Sequence, residues 1–336
     1  MSRLSSLEHD EHAAALREMG IDLILTSRSQ AEWSLDRIEL KQLHIEFRAE
    51  GGSAIVAGIS PPDAIVFAVL SAASSDDNLF NGHKVRAFDL IVIPPAQRFI
   101  QTALGPHRWS LVSLPIAALP GLEPVVRDEF NRMLQLGRVL VLRSRTLAQQ
   151  IAGTAAAVAD VMREPATVKV NGTVAELEVS LLDTLSAAAL AAVERARHLP
   201  DFSRGRRAGS YEIAHRAAGA FHQPELVPQS VEDFCTALGA TERKIRRAFK
   251  SFFGMGPAKL AKFHRLNRVR RMLVEGLPDN AKVMSVLSAC DVTEFGRFAG
   301  EYKAIFGERP SDTLRRNFTI DSPNDAADAA PRRSGR

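Results

Sequence analysis

The residues best suited to do chemistry in this sequence are positive charges in its C-terminal third. Between Thr241 and Leu273 the chain holds eleven lysines and arginines and one acid, Glu242. Solvated helix faces usually mix both signs, because opposite charges three or four residues apart stabilise a helix. A run of one sign repels itself and favours a polyanionic partner. The stretch therefore predicts binding to phosphate groups, with nucleic acid as the leading candidate.

The spacing of the apolar residues predicts that these charges lie on the surfaces of two helices. Thr241 suits a helix N-cap, and the apolar residues that follow it recur on one helix face. Gly254 and Gly256 predict a break, and Pro257 can start a new helix. The residues predicted to be buried are Ile245, Ala248, Phe249 and Phe252 in the first helix and Leu260, Phe263, Leu266 and either Val269 or Met272 in the second.

The sequence contains no clear pattern for metal binding, catalysis or disulfide formation. His44, His83 and His107 are well separated and include no His-x-His pair, so no metal site is expected. No Ser-His-Asp, Cys-His or phosphate-loop pattern is visible, so no catalytic residue and no cofactor are predicted. Cys235 and Cys290 cannot form a disulfide framework and are interpreted as small buried apolar residues.

The chain has the composition of an ordinary globular protein, but its positive charge is concentrated in one part. The 336 residues are 46% hydrophobic, and the net charge is +4. Residues 201–318 carry +8 and the remainder −4, so only the C-terminal part is expected to meet phosphate. The first ten residues are polar, and no apolar run reaches the roughly 18 residues of a membrane span. A soluble, cytoplasmic protein without membrane contact is expected.

Short strands are predicted after a polar helix within residues 1–20. Turn signals such as Gly51-Gly52, Asn81-Gly82 and Pro94-Pro95 separate them, which is typical of an all-β sandwich or barrel. The predicted strands are Leu40–Phe47, Ala54–Ile59, Ala64–Leu70, Phe88–Ile93, Arg98–Ala103 and Trp109–Leu114.

The segment from Asn81 to Pro95 resembles a cupin strand pair, with Ala87-Phe88 in place of the usual glycine. The resemblance implies a cupin-like β-barrel that senses a small molecule, over residues 1–120. Barrel mouths with apolar walls and a few polar groups are common ligand sites. Phe67, Arg108 and Trp109 are the candidate ligand-binding residues, although Phe67 and Trp109 could equally belong to the core.

Residues 121–200 are predicted to be helical. The segments are Val125–Leu142, Thr146–Met162 and Thr173–Arg197, and Thr173 with Glu176 has the spacing of a capping box. An apolar stripe from Val174 to Ala192 could pack on the chain's own barrel or against a second subunit, so this segment is a candidate for dimerisation. The polar stretch His198–Arg207 is predicted to be a linker.

The remaining pattern predicts two helix-turn-helix units. The first comprises a helix at Val231–Leu238, capped by Ser230, a turn at Gly239 and the basic helix. The second comprises helices at Lys282–Ala289 and Thr293–Phe306, joined by Cys290-Asp291-Val292. Further helices are predicted at Ala208–Phe221 and Ser311–Arg316, and residues 319–336 are expected to be disordered.

Two such units, joined by a helix beginning Gly256-Pro257, resemble the AraC/XylS family of bacterial transcription regulators. The matching segments are Gly239–Lys250, Arg265–Arg270 and the run from Phe298 to Pro310, and Gly296–Ala299 with Pro310–Leu314 looks most like ethanolamine-operon regulators. The implied fold is α+β and multidomain: a cupin-like sensor, a helical segment and an all-α double helix-turn-helix domain over residues 201–318.

The resemblance implies a sequence-specific regulator that contacts two successive major grooves of double-stranded DNA. RNA polymerase, a small-molecule effector and a second copy of the chain are candidate partners, and activation is the expected sense of control. The residues implied in DNA binding are Thr241, Arg243, Lys244, Arg246, Arg247, Lys250, Arg265, Arg268, Thr293, Phe295, Gly296, Arg297 and Lys303.

One departure from the family concerns the second turn. Where relatives usually have Gly-Phe, this chain has Asp291-Val292, and aspartate tolerates a left-handed backbone better than most residues. The positions that in relatives face the second groove are here Phe295, Gly296, Arg297 and Gly300, and among them only Arg297 can make a bidentate contact with guanine. The second unit is therefore expected to discriminate bases less strongly than the first.

Two other functions compete with this hypothesis. The alternative is an enzyme with a cupin-like catalytic domain fused to a DNA-binding domain. A second alternative is an interaction module for RNA or another anionic surface, although two matched units suit the repeat of duplex DNA better.

Overall fold

The computed structural model describes residues 2–163, 170–197, 206–221, 228, 230–275 and 282–320. The chain divides into two compact units, residues 1–262 and 263–336. Most of the predicted linker His198–Arg207 and the C-terminal residues 321–336 lie outside the described residues. None of the helices within the described ranges is long and apolar enough to cross a membrane.

Antiparallel strands dominate the first part of the chain. They are β1 (Ser2–Leu7), β2 (Ile21–Leu25), β3 (Trp33–Glu39), β4 (His44–Glu50), β5 (Ala54–Ile59), β6 (Ala64–Ala73), β7 (Asn78–Phe80), β8 (His83–Val85), β9 (Leu90–Ile93), β10 (Arg98–Ala103), β11 (His107–Pro115) and β12 (Leu140–Leu142). They form a seven-stranded sheet, β1-β3-β4-β11-β6-β9-β12, and a five-stranded sheet, β2-β5-β10-β7-β8. Within the described residues each sheet has two free edges, so the strands do not close into one barrel.

The central strands of the larger sheet are apolar on both faces because both faces are covered. Residues 64–70 of β6 are all buried. On one face, Phe67 packs edge-on against Phe130 of a helix, with 6.3 Å between ring centroids. On the other face, Trp109 lies 6.3 Å from Phe80 of the smaller sheet.

The helices of the first half are α1 (His9–Glu18), a 3-10 turn (Ile116–Gly121), α2 (Pro124–Gln135), α3 (Arg145–Arg163) and α4 (Val170–Arg197). The apolar stripe of α4, including Leu181, Leu185 and Ala188, lies in one buried cluster with Ile45 and Val112 of the larger sheet. The stripe therefore packs within the chain itself, mainly against α2 and α3.

The C-terminal helices are α5 (Arg206–Phe221), α6 (Val231–Leu238), α7 (Glu242–Phe253), α8 (Pro257–Val274), α9 (Val283–Ala289), α10 (Phe295–Phe306) and α11 (Pro310–Ile320). The boundary between the two compact units falls inside α8, after Lys262. Helices α6 and α7 form the first helix-turn-helix in the first unit, and α9 and α10 form the second in the other unit. Both predicted units are confirmed as helix pairs.

Several predicted boundaries are wrong for identifiable reasons. The predicted helix Val125–Leu142 ends at Gln135, because Gly137 adopts φ +55° and β12 then pairs with β9. Only residues 9–18 of the predicted N-terminal helix are helical, since β1 pairs with β3. Helix α4 begins before Thr173, so neither the turn at Asn171-Gly172 nor the cap forms.

The predicted bounds of the strands agree best with the observed ones where a turn lies directly beside the strand. Ala54–Ile59 and Arg98–Ala103 are found with the predicted bounds. The strand predicted from Phe88 begins only at Leu90, because Phe88 has φ +64°. The carboxylate of Asp89 accepts a hydrogen bond from the backbone of Arg86, at 2.9 Å, and so closes a turn there.

Candidate nucleic-acid interface

A cap on the short helix α6 and a contact between two aromatic rings stabilise the first helix-turn-helix. The Ser230 hydroxyl accepts from the backbone N–H of Asp233, whose carboxylate accepts from the N–H of Ser230, which completes a capping box. Gly239 ends α6 with φ +60°, a conformation that favours glycine. The rings of Phe234 and Phe249 then meet edge-on at 4.9 Å. These contacts fix which side of α7 is buried.

The opposite side of α7 is a continuous basic surface. All five of its cations are exposed: Arg243, Lys244, Arg246, Arg247 and Lys250. The Arg246 guanidinium pairs with the Glu242 carboxylate at 2.6 Å, and the Lys250 ammonium donates to the carbonyl of Gly254 at 3.2 Å. Thr241 precedes the helix with an extended backbone and an exposed side chain.

The basic residues of α8 are not equivalent. Lys259 and Lys262 are exposed, whereas Arg265, Arg268 and Arg271 are half-buried. Arg270 is only 4% exposed. Its guanidinium pairs with Glu308 at 2.9 Å and lies 4.7 Å from the centre of the Phe306 ring. Arg270 therefore anchors α8 to the last helices and is not part of the open basic surface.

The second helix-turn-helix is held by a buried polar network. Asp291 turns the chain with φ +54°, as expected from its tolerance of that conformation, and Val292 is buried. The Thr313 side chain lies 2.9 Å from the Tyr302 hydroxyl and donates to Glu308 at 2.8 Å. The network joins α10 to α11 through the same carboxylate that holds Arg270.

The outer face of α10 carries fewer cationic side chains than that of α7. Arg297 lies between Glu294, at 3.3 Å, and Glu301, at 3.4 Å, and hydrogen bonds to these carboxylates raise its pKa. Phe295 is 36% exposed, which is unusual for a large apolar side chain away from a contact. The other predicted contact residues at this end, Thr293, Gly296 and Lys303, are also exposed.

The structure does not bring the three predicted ligand-binding residues together. Phe67 faces the helices, Trp109 faces the smaller sheet, and Arg108 is exposed to solvent. The interpretation of Phe67 and Trp109 as core residues agrees with their burial, at 0% and 4% exposure.

A buried ionic cluster that sequence reasoning missed lies beside Trp109. Residues His107 and Glu50 are directly opposite in the register of β11 and β4, and their side chains form an ion pair at 2.9 Å. Burial opposes both charges, but their mutual attraction prevails, so that the pKa of Glu50 is lowered and that of His107 raised. Among the described residues, no group of three or more His, Cys, Asp or Glu side chains could hold a metal ion.

Comparison with known proteins identifies the C-terminal region. Residues 234–316 match the family model described as a helix-turn-helix domain. A similar curated protein is the "Probable thc operon regulatory protein" of Rhodococcus erythropolis, which is 31% identical over 88 residues. That match spans 26% of this chain and 26% of the relative. The C-terminal part of this chain is an AraC-type helix-turn-helix domain.

Solved structures with similarity to the chain include two AraC-type proteins. The AraC-like transcriptional activator CuxR is 13% identical, with a TM-score of 0.42 over 79% of this chain and 94% of that chain. A probable AraC family transcriptional regulator from Rhodopseudomonas palustris is 26% identical, with a TM-score of 0.28 over 33% of this chain and 97% of that chain.

Proposed function

We propose that this protein is a sequence-specific, DNA-binding transcriptional regulator of the AraC/XylS type. The observation that carries the proposal is the basic face of α7. Five cations lie on one side of this helix, and its other side is fixed in a core with Phe234. A rigid helix that presents one sign of charge suits the major groove of duplex DNA.

Within α7, two arginines have the position required for base contacts. Arg243 and Arg246 lie three residues apart and therefore share a helix face near the N-terminal end. Recognition helices contact base edges with residues near this end, and a guanidinium can bind the two acceptors of guanine. Lys244, Arg247 and Lys250 surround them and are proposed to contact phosphates, as are Arg265 and Arg268 of α8.

The second recognition helix is proposed to enter the next major groove, about 34 Å along the duplex. Arg297 is its candidate for a base contact. Because Glu294 and Glu301 both lie within 3.4 Å of this guanidinium, DNA must displace two carboxylates to reach it. The exposed ring of Phe295 can contact a thymine methyl group. We therefore propose weaker base discrimination by this unit.

The N-terminal part is proposed to be a sensor. The two facing sheets, of which only β12 lies outside residues 1–120, support a cupin-like sensing domain. Residues 121–200 are proposed to contribute to a homodimer. Residues 201–318 would form the DNA-binding domain of a cytoplasmic regulator that controls transcription, through contact with RNA polymerase if it is an activator. Control by a small molecule requires that a site in the N-terminal part communicate with α6 and α7.

A binding-site selection with full-length protein and random duplex DNA tests the proposal. A motif of two short blocks about ten base pairs apart is expected. If about six phosphates are contacted, the logarithm of the binding constant should fall with the logarithm of salt concentration with a slope near −5. No enriched motif, or equal competition by unrelated RNA, would contradict the proposal.

A further inference from the structure

The last turn of α6 lies directly before the turn that leads into α7, and its carbonyls need partners from outside the helix. The last four carbonyls of an α-helix have no hydrogen-bond donor within the helix itself. The backbone N–H of Ala240 donates to the Cys235 carbonyl at 3.1 Å. The N–H of Gly239 donates to the Thr236 carbonyl at 3.4 Å. This pair of bonds is a Schellman motif and accounts for two of the four carbonyls.

The guanidinium of Arg216, on α5, satisfies the other two carbonyls. Its Nη1 atom donates to the Leu238 carbonyl at 3.1 Å, and its Nη2 atom donates to the Ala237 carbonyl at 3.0 Å. One planar fork therefore spans the two final carbonyls of α6. Its positive charge also lies at the negative end of the helix dipole, which strengthens both bonds.

Arg216 connects these carbonyls to a helix that is itself fixed by packing. The inner side of α5 is buried and includes Ile213 and Ala214. The Tyr211 hydroxyl of the same helix donates to the Arg98 carbonyl of β10 at 3.4 Å. All of these elements belong to the compact unit 1–262. The Arg216 side chain is exposed, so its contribution is the pair of hydrogen bonds and not core packing.

Two other contacts hold α7 further along its length. The Phe249 ring packs against α6 in the middle of α7, and the Phe252 carbonyl accepts a hydrogen bond from β10 in its last turn. Arg216 acts instead on the turn before the first residue of α7, next to the end that carries Arg243 and Arg246. A rotation of about 10° at that turn would move a guanidinium about 10 Å away by about 2 Å, whereas a working site tolerates about 0.5 Å.

We propose that Arg216 is a positioning residue for sequence discrimination by α7. By bonding both final carbonyls of α6, it fixes the direction in which the chain leaves α6, and with it the tilt at which Arg243 and Arg246 reach the base edges. A looser turn impairs a bidentate contact with guanine more than a phosphate contact, because the former needs two aligned bonds. This role rests on the proposed function, whereas the cap on α6 does not.

The competing role for an exposed arginine close to such a helix is a direct phosphate contact, and the two roles predict different measurements. A phosphate contact raises the affinity for every sequence alike and contributes about one to the salt slope. A positioning residue raises the affinity for the preferred sequence and leaves the salt slope unchanged.

Mobility shifts of the full-length protein on the selected DNA and on an unrelated duplex separate these roles. Arg216→Met keeps an unbranched side chain that suits a helix but removes both donors. Arg216→Lys keeps the charge but lacks the planar fork that spans both carbonyls. Arg28→Met, at an exposed position between β2 and β3, is the control for the loss of one positive charge.

Arg216→Met should lower the ratio of specific to non-specific affinity about tenfold and leave the salt slope unchanged. Arg216→Lys should recover only part of this ratio, and Arg28→Met should retain it. Because Arg216 acts through α7, its replacement should change the ratio by less than about twofold when Arg246→Ala is already present. A salt slope lower by about one, equal losses on both duplexes or full recovery by lysine would overturn the proposal.

Hydrogen exchange of the DNA-free protein tests the cap independently of DNA binding. The amides of Gly239 and Ala240 should exchange about tenfold faster in Arg216→Met and at the wild-type rate in Arg28→Met. Unchanged exchange in Arg216→Met would refute the structural basis of the proposal. If the wild-type protein selects no DNA motif, the proposed function fails and the positioning role fails with it. If it selects a motif and Arg216→Met retains the full affinity ratio, only the positioning role fails.

Discussion

The Thr102 hydroxyl, on β10, donates a 2.9 Å hydrogen bond to the backbone carbonyl of Phe252, in the last turn of α7. Thr102 is only 2% exposed. The hairpin between β7 and β8 reinforces this contact, because a Cβ atom added to Gly82 would lie 3.3 Å from the Phe252 ring. The sheet therefore holds α7 by its C-terminal end and leaves the end with Arg243 and Arg246 open.

Replacement of Thr102 by Val tests this docking contact. The side chain keeps its shape, but the carbonyl of Phe252 loses its donor, so the free energy of unfolding should fall by about 1–2 kcal/mol. Urea unfolding followed by fluorescence measures it. Thr26→Val is a matched control, because the Thr26 hydroxyl donates to the Ser53 carbonyl at 3.1 Å elsewhere in the unit. Only Thr102→Val should accelerate hydrogen exchange at the end of α7; equal exchange in both variants would contradict the contact.

Arginines of α7 and α8 should differ in their effect on sequence preference. Arg246→Ala is expected to weaken binding of the preferred DNA by about 1–3 kcal/mol and to relax one block of the motif, since it removes a base contact. Arg268→Ala should weaken all sequences alike and reduce the salt slope by about one. Selections with both variants measure this. The assignment is wrong if Arg268→Ala alters the motif and Arg246→Ala does not.

The buried pair of Glu50 and His107 should make stability depend on pH. The pKa of Glu50 is lowered from 4.5, so its contribution is lost as pH falls below that value. The pKa of His107 is raised from 6.5, so its contribution is complete below pH 6.5 and is lost as pH rises through the higher folded-state value. The pair therefore stabilises most between about pH 4.5 and 6.5.

His107→Gln should lower the free energy of unfolding by about 3–5 kcal/mol at pH 6, because it leaves the Glu50 charge buried without its partner. The variant should also lose the decline of stability above pH 6.5. The Glu50→Gln/His107→Gln double variant should recover part of the loss, since no buried charge remains. A double variant less stable than His107→Gln would contradict this account.

A second buried histidine should contribute to acid unfolding. His12 is fully buried, and desolvation lowers its pKa to about 4. The unfolded chain binds the proton first, so stability should fall by up to about 3 kcal/mol between pH 6.5 and 4. His12→Phe should remove this loss, and the exposed control His44→Gln should not. Fluorescence-detected unfolding is suitable, because Trp33 lies 5.2 Å from the His12 ring.

Local sequence signals predicted the helices of the candidate interface well. The buried face of α7 follows from the spacing of Ile245, Ala248 and Phe249, and all three are buried. The left-handed backbone of Asp291 was predictable because few residue types tolerate it. These features depend on residues near one another in the chain, which is why periodicity and turn chemistry suffice for them.

Features that depend on distant residues were not predictable. Arg270 looks like any other cation in its run, but its partner Glu308 lies 38 positions further along the chain. Glu50 and His107 meet only because of the register between β4 and β11. Arg98 and His215 line one pocket although they lie far apart in the sequence. No local pattern records such pairings, because tertiary packing alone creates them.

The ion pair between Glu242 and Arg246 has a consequence for how tightly α7 would bind its target. The carboxylate already occupies the guanidinium at 2.6 Å, so any incoming acceptor must compete with a tethered anion. A lone phosphate offers little more than the carboxylate does, whereas guanine offers two acceptors in the geometry of the arginine fork. If α7 meets DNA as proposed, the cost of breaking this exposed pair would be small and the same at every site, so Glu242 would lower affinity slightly without changing the order in which sites are preferred.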